Sequence, residues 1–576
     1  MKKLLALLLF TATLSAQKNM YTTPYEKGNR NQTATYQETI DFFRLLDRDF
    51  ESVQLLEMGP TDSGIPLHIV IYNPDKVFDL AKMDDNKAVL FVNNGIHPGE
   101  PDGIDATMML YRDLATGKVP APKNTVIVTI PIYNIGGALN RNSHSRANQN
   151  GPESYGFRGN ERNYDLNRDF LKSDTKNARS FAEIFHKVQP DIFIDNHVSN
   201  GADYQYVFTY IATHHQKLGG NLGTFYKAEM LPKILAAMKA KGIEATPYVN
   251  IHDEKPDGGF AQFMDYPRYS TGYASMFNVP GSMPETHMLK NYADRVKVTY
   301  EYMAETLAYI EQNHKRIKEL RSENDRHYKA GMQYPLLWEI DSIEVTLLPF
   351  LGYEGGFKTS EVSGKPRLYY DRKKPFSKTV PYYQRYNPTL EVTIPEAYII
   401  PRSWWNAVEL LQINNIRMEP LAQDTEIEVE SYRIVDHKTS RSPYEGHYPH
   451  YGTQVKATTR KVLFRKGDFV IPTNQPGVKY LLETLEPQAN DSYFNWNFFD
   501  AILQQKEYFS AYVFEDTAAK LLKDNPKLKT EFDAKKKQDR AFANDGDAQL
   551  DWIYTQSEYY EKTHMEYPVY RKMRSL

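Results

Sequence analysis

From residue 36 to residue 322 the chain alternates between short, β-branched apolar runs and longer segments with helical spacing. "YQETIDFFRLLD" (36–47) spaces its apolar side chains as one face of a helix, and "IPLHIVIYN" (65–73) and "KAVLFVNN" (87–94) follow as buried strands. The helix-like "PDGIDATMMLYRDLA" then leads to the strand "NTVIVTIPIYN", the helix "KNARSFAEIFHKV", the strand "DIFIDNH" and the helix "LPKILAAMKAKG". Strands regularly separated by helices cannot form a meander. They demand an α/β fold, an open and largely parallel or mixed sheet flanked by helices. A long helical pattern from about Tyr292 to Ser322 closes this region.

Past residue 330 the texture changes. "SIEVTLLPF", "PTLEVTIPEAYIIP", "TEIEVESYRIV" and "TQVKATTRKVLF" are alternating, β-branched segments between proline, glycine and charged turns. Helical spacing returns from about residue 478, in "AAKLLKDNPKLKTEFDAKKKQDRAF" and "LDWIYTQSEYYEK", whose dense mixed charge reads as a solvated helical face. With 576 residues the chain has room for several domains. The expected division is a signal peptide at 1–16, a catalytic domain at 17–325, a β-rich domain at 326–477 and a helical C-terminal region at 478–576.

The signal peptide is expected because Lys2 and Lys3 precede an apolar stretch from Leu4 to Leu14 and then Ser15-Ala16-Gln17, with cleavage after Ser15 or Ala16. Export to the periplasm or the exterior follows, with no membrane span expected in the mature chain. Removing two lysines moves the net charge from −3 to about −5, and no basic patch stands out, so nucleic acid is not an expected partner. There is no cysteine, so disulfides, thiolate ligands and a cysteine nucleophile are excluded. Any metal must be held by His, Asp or Glu.

His97 and Glu100 lie just past the end of the strand 88–93, and His197 just past the strand 191–196. In open α/β sheets ligands gather outside the carboxyl ends of strands, so these three side chains could converge. Two imidazoles and a carboxylate form a catalytic zinc set with one position left for water. H-x-x-E alone carries little weight, since fifteen histidines in such a chain make on the order of one chance match. His144, His214, His215 and His252 stay open as ligands. The stretch 140–170 is polar and rich in arginine and asparagine, suited to forked carboxylate binding and oxyanion stabilisation. Glu285, in "VPGSMPETHMLKNY", either begins the long helix or, if near the metal, serves as a general base.

The series "HPGEPDG", "NQNGP", "NYDLNRDFLK", "DNHVSNG" and "PETHMLKNY", in this order, resembles the M14 family of zinc metallocarboxypeptidases over roughly residues 36 to 320. The resemblance implies one zinc ion held by His97, Glu100 and His197. It implies that Glu285 takes the proton of the attacking water and hands it to the leaving amine, and that Arg146 stabilises the oxyanion, with Arg141 as the fallback. Asn167 and Arg168 would clamp the terminal carboxylate of the substrate, and Asp165 would orient a zinc-binding histidine. Two departures stand out. "NIGG" occupies 134–137, where many members read N-P-D-G, and the phenol over the substrate has three candidates, Tyr266, Tyr269 and Tyr273, of which Tyr273 is taken. Arg268 could offer a second carboxylate contact.

The function expected is hydrolysis of the C-terminal amide bond of peptides by an exported zinc metallocarboxypeptidase. The alternatives are a zinc amidase acting on cell-wall peptides or another carboxylate-bearing amide, and a non-catalytic peptide- or glycan-binding protein on the same fold. Oligomeric state is not legible.

Overall fold

The computed structural model describes residues 20–251 and 254–574. The expected signal peptide at 1–16 and His252 lie outside the described residues. The α/β expectation holds. The central sheet is mixed, and its strands run in the order Val53–Glu57, His68–Tyr72, Thr125–Ile130, Ala88–Asn93, Ile192–Asp195, Gly281–His287, Phe208–Ala212 and Ala245–Pro247, with His197–Ser199 also pairing to Gly281–His287. Ala88–Asn93 is parallel to both of its neighbours, as crossover helices require, while the two outermost strands on the 53–72 side run antiparallel. The central strands Ala88–Asn93, Thr125–Ile130 and Ile192–Asp195 are buried along their whole length, which is why they read as continuous apolar runs.

Helices flank this sheet. Phe181 and Phe185 of Lys176–Val188 pack on Phe91 and Phe193 of two adjacent strands. Tyr111 of Asp102–Ala115 donates its hydroxyl to the Val70 carbonyl at 2.9 Å, tying helix to sheet. The helix Tyr36–Asp49 starts at a capping box in which Thr35 and Glu38 satisfy each other's backbone amides.

The alternating segments after 330 form long hairpins. Thr346–Thr359 pairs with Pro366–Tyr383, and Thr425–Thr439 pairs with His450–Phe464. These later elements share a core with the earlier ones. One continuous apolar cluster runs from Tyr21 to Val569, through both of the expected boundaries at 325 and 477. Val478–Leu485 is a buried helix whose Tyr480 stacks on Phe277, and Tyr570–Lys572 lies between Ala397–Ile400 and Thr425–Thr439 in the second large sheet. The helices between 511 and 555 form a core of their own, around Phe514, Phe532 and Ile553, and smaller separate clusters gather around Phe350 and around Val429. Among the described residues, no helix is long and apolar enough to cross a membrane.

Candidate metal centre and substrate cleft

Ala88–Asn93 ends in a tight turn at Gly95, whose φ of +62° suits glycine, and the chain then delivers His97 and Glu100 ahead of the helix Asp102–Ala115. The Glu100 amide donates to the His97 carbonyl at 2.8 Å, so the two side chains leave one turn on the same side. His197 lies two residues beyond Ile192–Asp195, the neighbouring parallel strand. Adjacent parallel strands therefore bring the three residues to one carboxyl edge.

They converge. His97 Nδ1 lies 3.4 Å from Glu100 Oε1, His197 Nδ1 lies 3.2 Å from Glu100 Oε2, and one ligand atom from each residue falls within 4.8 Å of the others. All three side chains are buried. Each imidazole is held from behind by a carboxylate: His97 Nε2 donates to Asp165 Oδ1 at 2.8 Å and His197 Nε2 donates to Asp195 Oδ2 at 3.0 Å. With Nε2 so occupied, both Nδ1 atoms are left facing Glu100, and His97 Nδ1 has no hydrogen-bond partner. A buried, orphaned ring nitrogen beside a second imidazole and a carboxylate is the donor set a divalent cation satisfies. Among the described residues this is the one such cluster, and His144, His214 and His215 do not join it.

The electrostatics fit a cation as well. Burial would push the Glu100 carboxyl up, but Arg146 and the two imidazoles hold it well below its usual range. Burial would likewise deprotonate His197, yet Asp195 and Glu100 hold its pKa well above that of a free imidazole. Both shifts follow from opposite charges set side by side in a buried cluster.

Glu285 faces the same edge. It lies within the strand Gly281–His287, directly opposite His197 in the parallel register, and not at the start of the long helix, which begins at Tyr292. Burial, reinforced by Glu100 and opposed by His197, raises its carboxyl to about 8.

A cleft of about 340 Å³ opens over these groups and is lined by His97, Glu100, His197, Glu285, Arg146, Arg158, Asn167 and Arg168. Arg146 donates to Glu100 Oε1 at 2.7 Å and to the Val198 carbonyl at 3.1 Å. Arg158, which the sequence did not single out, donates to Asp165 Oδ2 at 3.0 Å and reaches to 3.5 Å from Glu100. Arg141 does not reach the cleft, since its guanidinium is spent on the carbonyls of Thr33, Ala34 and Ser154. In "NIGG", a Cβ on Gly137 would press on the Phe157 carbonyl, so this glycine lets the backbone at Phe157 pack close.

Asn167 and Arg168 sit in a 3₁₀ turn, Leu166–Arg168, capped by Asp165, whose Oδ1 accepts the Asn167 amide at 2.9 Å. The Arg168 guanidinium lies over the Tyr269 ring at 4.6 Å, and both residues line the cleft.

No family model matches the chain. It is 22% identical over 441 residues to Carboxypeptidase 2 of Trichophyton rubrum, covering 71% of this chain and 73% of that protein. It is 20% identical over 449 residues to Carboxypeptidase 2 of Trichophyton tonsurans, covering 72% and 74%. Both of these relatives are carboxypeptidases by name, and each is matched over nearly three quarters of its length. Similar solved structures include a metallo-carboxypeptidase from Burkholderia cenocepacia (14% identity, 48% of this chain and 70% of that chain, TM-score 0.36). Carboxypeptidase A from Helicoverpa armigera is another (13% identity, 49% and 74%, TM-score 0.36).

Tyr273, expected over the substrate, is not in this cleft. Tyr273 is buried on the helix Ser270–Met276, and its hydroxyl donates to Asn414 Oδ1 at 2.6 Å, away from the cleft. The phenols that line the cleft are Tyr269 and Tyr248. Tyr248 was missed because nothing in "ATPYVNIHDEK" marks it; it follows the edge strand Ala245–Pro247 and is carried in by the chain turning there. Arg268 does not offer a second carboxylate contact either, being forked onto Asp491 at 2.8 and 2.6 Å. Tyr266 lies against Lys217 instead.

Proposed function

We propose that the protein is an exported zinc metallocarboxypeptidase that removes C-terminal residues from peptides, acting in the periplasm or outside the cell. The observation carrying this reading is that two imidazole Nδ1 atoms and Glu100 converge beside Glu285, in a cleft that also holds Asn167 and Arg168. His97, Glu100 and His197 would hold zinc, and the ion when bound supplies Lewis-acid activation of water and of the scissile carbonyl.

The chain's own residues supply the rest. Glu285, held above the usual carboxylate range by burial, takes the proton from the attacking water and delivers it to the leaving amine nitrogen. Arg146, with Arg158 beside it, places guanidinium donors where negative charge grows on the carbonyl oxygen. Arg168 offers its fork to the terminal carboxylate of the substrate, with Asn167 alongside, which restricts cleavage to the last residue. Asp165 and Asp195 fix the two imidazoles in the tautomer that presents Nδ1. Ile211, Phe263 and Met283 form the apolar part of the cleft wall and suit an apolar terminal side chain. In this reading the segments 326–477 and 478–576 are companions of the catalytic segment 17–325.

The test is release of a terminal amino acid from an N-acylated dipeptide by the zinc-loaded full chain, before and after chelation. Release that stops on chelation and returns with zinc supports the assignment. Release indifferent to chelation removes the metal from it.

A further inference from the structure

A turn from the later, β-rich part of the chain reaches the catalytic half. Tyr444 and His447 exchange backbone hydrogen bonds of 2.8 and 3.1 Å, with Glu445 and Gly446 between them at φ of +48° and +80°. Both central residues are left-handed, so this is the primed hairpin turn that favours Asn-Gly or Gly-Gly. Glycine is in place at 446, where any side chain would meet the Tyr164 hydroxyl. Glutamate at 445 is not a residue the backbone prefers, and a long side chain kept in a disfavoured conformation points to a task for that side chain.

The task is visible in its contacts. Glu445 Oε2 accepts the Asp165 amide at 2.9 Å across a separation of 280 residues. Asp165 is the hub of the cleft: its Oδ1 accepts His97 Nε2 and the Asn167 amide, and its Oδ2 accepts Arg158. The rest of the turn grips the same segment. His447 Nε2 donates to Asp174 Oδ2 at 2.8 Å, and Lys172 bridges Asp174 to Asp169 at 2.7 and 2.6 Å. The Tyr444 ring stacks on Trp496 and lies 5.7 Å from the Arg268 guanidinium, close to Tyr269.

We propose that Glu445 is a positioning residue, which fixes the Asp165 backbone and through it the Asn167–Arg168 turn that receives the substrate's terminal carboxylate. It acts through Asp165 and touches no reacting atom. The inference rests on the carboxypeptidase reading above for its consequence, though not for its structural half.

Glu445→Gly separates this role from simple packing, because glycine relieves the left-handed backbone while deleting the acceptor. The zinc-loaded full-length variant is expected to keep or raise the wild-type melting temperature. Its KM for a peptide with a free C-terminus rises roughly tenfold, the scale of a lost charge-assisted hydrogen bond, with kcat changed less than about threefold. Amide exchange at Asp165–Arg168 speeds up in the same variant, and Glu445→Gln, whose amide oxygen can accept the same N–H, restores both readouts. Wild-type KM and wild-type exchange in Glu445→Gly would overturn the proposal, as would a lower melting temperature with KM unmoved. If wild-type protein releases no amino acid, the carboxypeptidase reading fails, and the exchange measurement still decides whether Glu445 holds the segment.

Discussion

His197 donates through Nε2 to Asp195 Oδ2 at 3.0 Å, and Asp195 also accepts the side-chain amide of Asn93 at 3.0 Å. The strand that carries Asp195 thus orients the imidazole two residues further on, turning His197 Nδ1 toward Glu100. Replacing Asp195 with Asn keeps the shape while removing the charge that fixes the tautomer. Zinc affinity is expected to fall roughly 10–100-fold, read by competition with a chromogenic chelator. Unchanged affinity would mean that Asp165 and Glu100 suffice to orient the site.

Tyr248 lines the cleft, whereas Tyr273, the phenol taken from the sequence, is bonded to Asn414 away from it. Tyr248→Phe is expected to lower kcat/KM with the melting temperature unchanged. Tyr273→Phe, which abandons the hydrogen bond to Asn414, is expected to cost about 1 kcal/mol of stability and to leave kcat/KM alone. Paired kinetics and thermal unfolding of the two variants check this, and an activity loss confined to Tyr273→Phe would reverse the assignment.

Asp105 gives a pH signature in stability. It is fully buried beside the Tyr292 hydroxyl and the Ala34 amide, and burial raises its carboxyl to about 6, from an ordinary 3.8. Between those values the folded chain binds a proton that the unfolded chain has released. Stability from this group is therefore full at low pH and is lost as pH rises through about 6, by up to about 3 kcal/mol. Urea unfolding of wild type against Asp105→Asn, at pH 4 and pH 6.5, should show the wild-type advantage shrinking by that order. A difference that does not change with pH would contradict the shift.

The candidate metal cluster was legible because its signal is local: His97, Glu100 and His197 each follow a strongly apolar strand, and strand ends are where parallel neighbours bring side chains together. Asp165, Asn167 and Arg168 were legible through one short motif, which folds into one capped turn. Glu285 was found by motif, while its setting stayed open between the helix start and the site, since "GSMPETH" does not alternate and is buried on both faces. Tyr248, Arg158 and Asp195 escaped because their roles depend on neighbours set by tertiary packing, not by spacing. The later region was read correctly as β-rich from its alternation. Its shared core with the catalytic half was invisible, because Tyr480 meets Phe277 and Tyr570–Lys572 joins a sheet only after long-range folding.

Glu285→Gln removes the proton acceptor while leaving His97, Glu100 and His197 intact. The expected loss in kcat is roughly 10²–10⁴-fold with zinc content unchanged, checked by turnover measurements beside elemental analysis of the same sample. Equal loss of zinc would assign Glu285 to the metal instead of to proton transfer.

Arg168 carries the claim that this is an exopeptidase, and one measurement addresses it most directly. Matched peptides with free and amidated C-termini are incubated with the zinc-loaded full chain, with Arg168→Ala and with Glu285→Gln, and products are followed by mass spectrometry. The account predicts stepwise loss of terminal residues from the free peptides alone, weakened through KM in Arg168→Ala and nearly absent in Glu285→Gln. Cleavage of free and amidated peptides at equal rates, or of neither by wild-type protein with zinc bound, would contradict it.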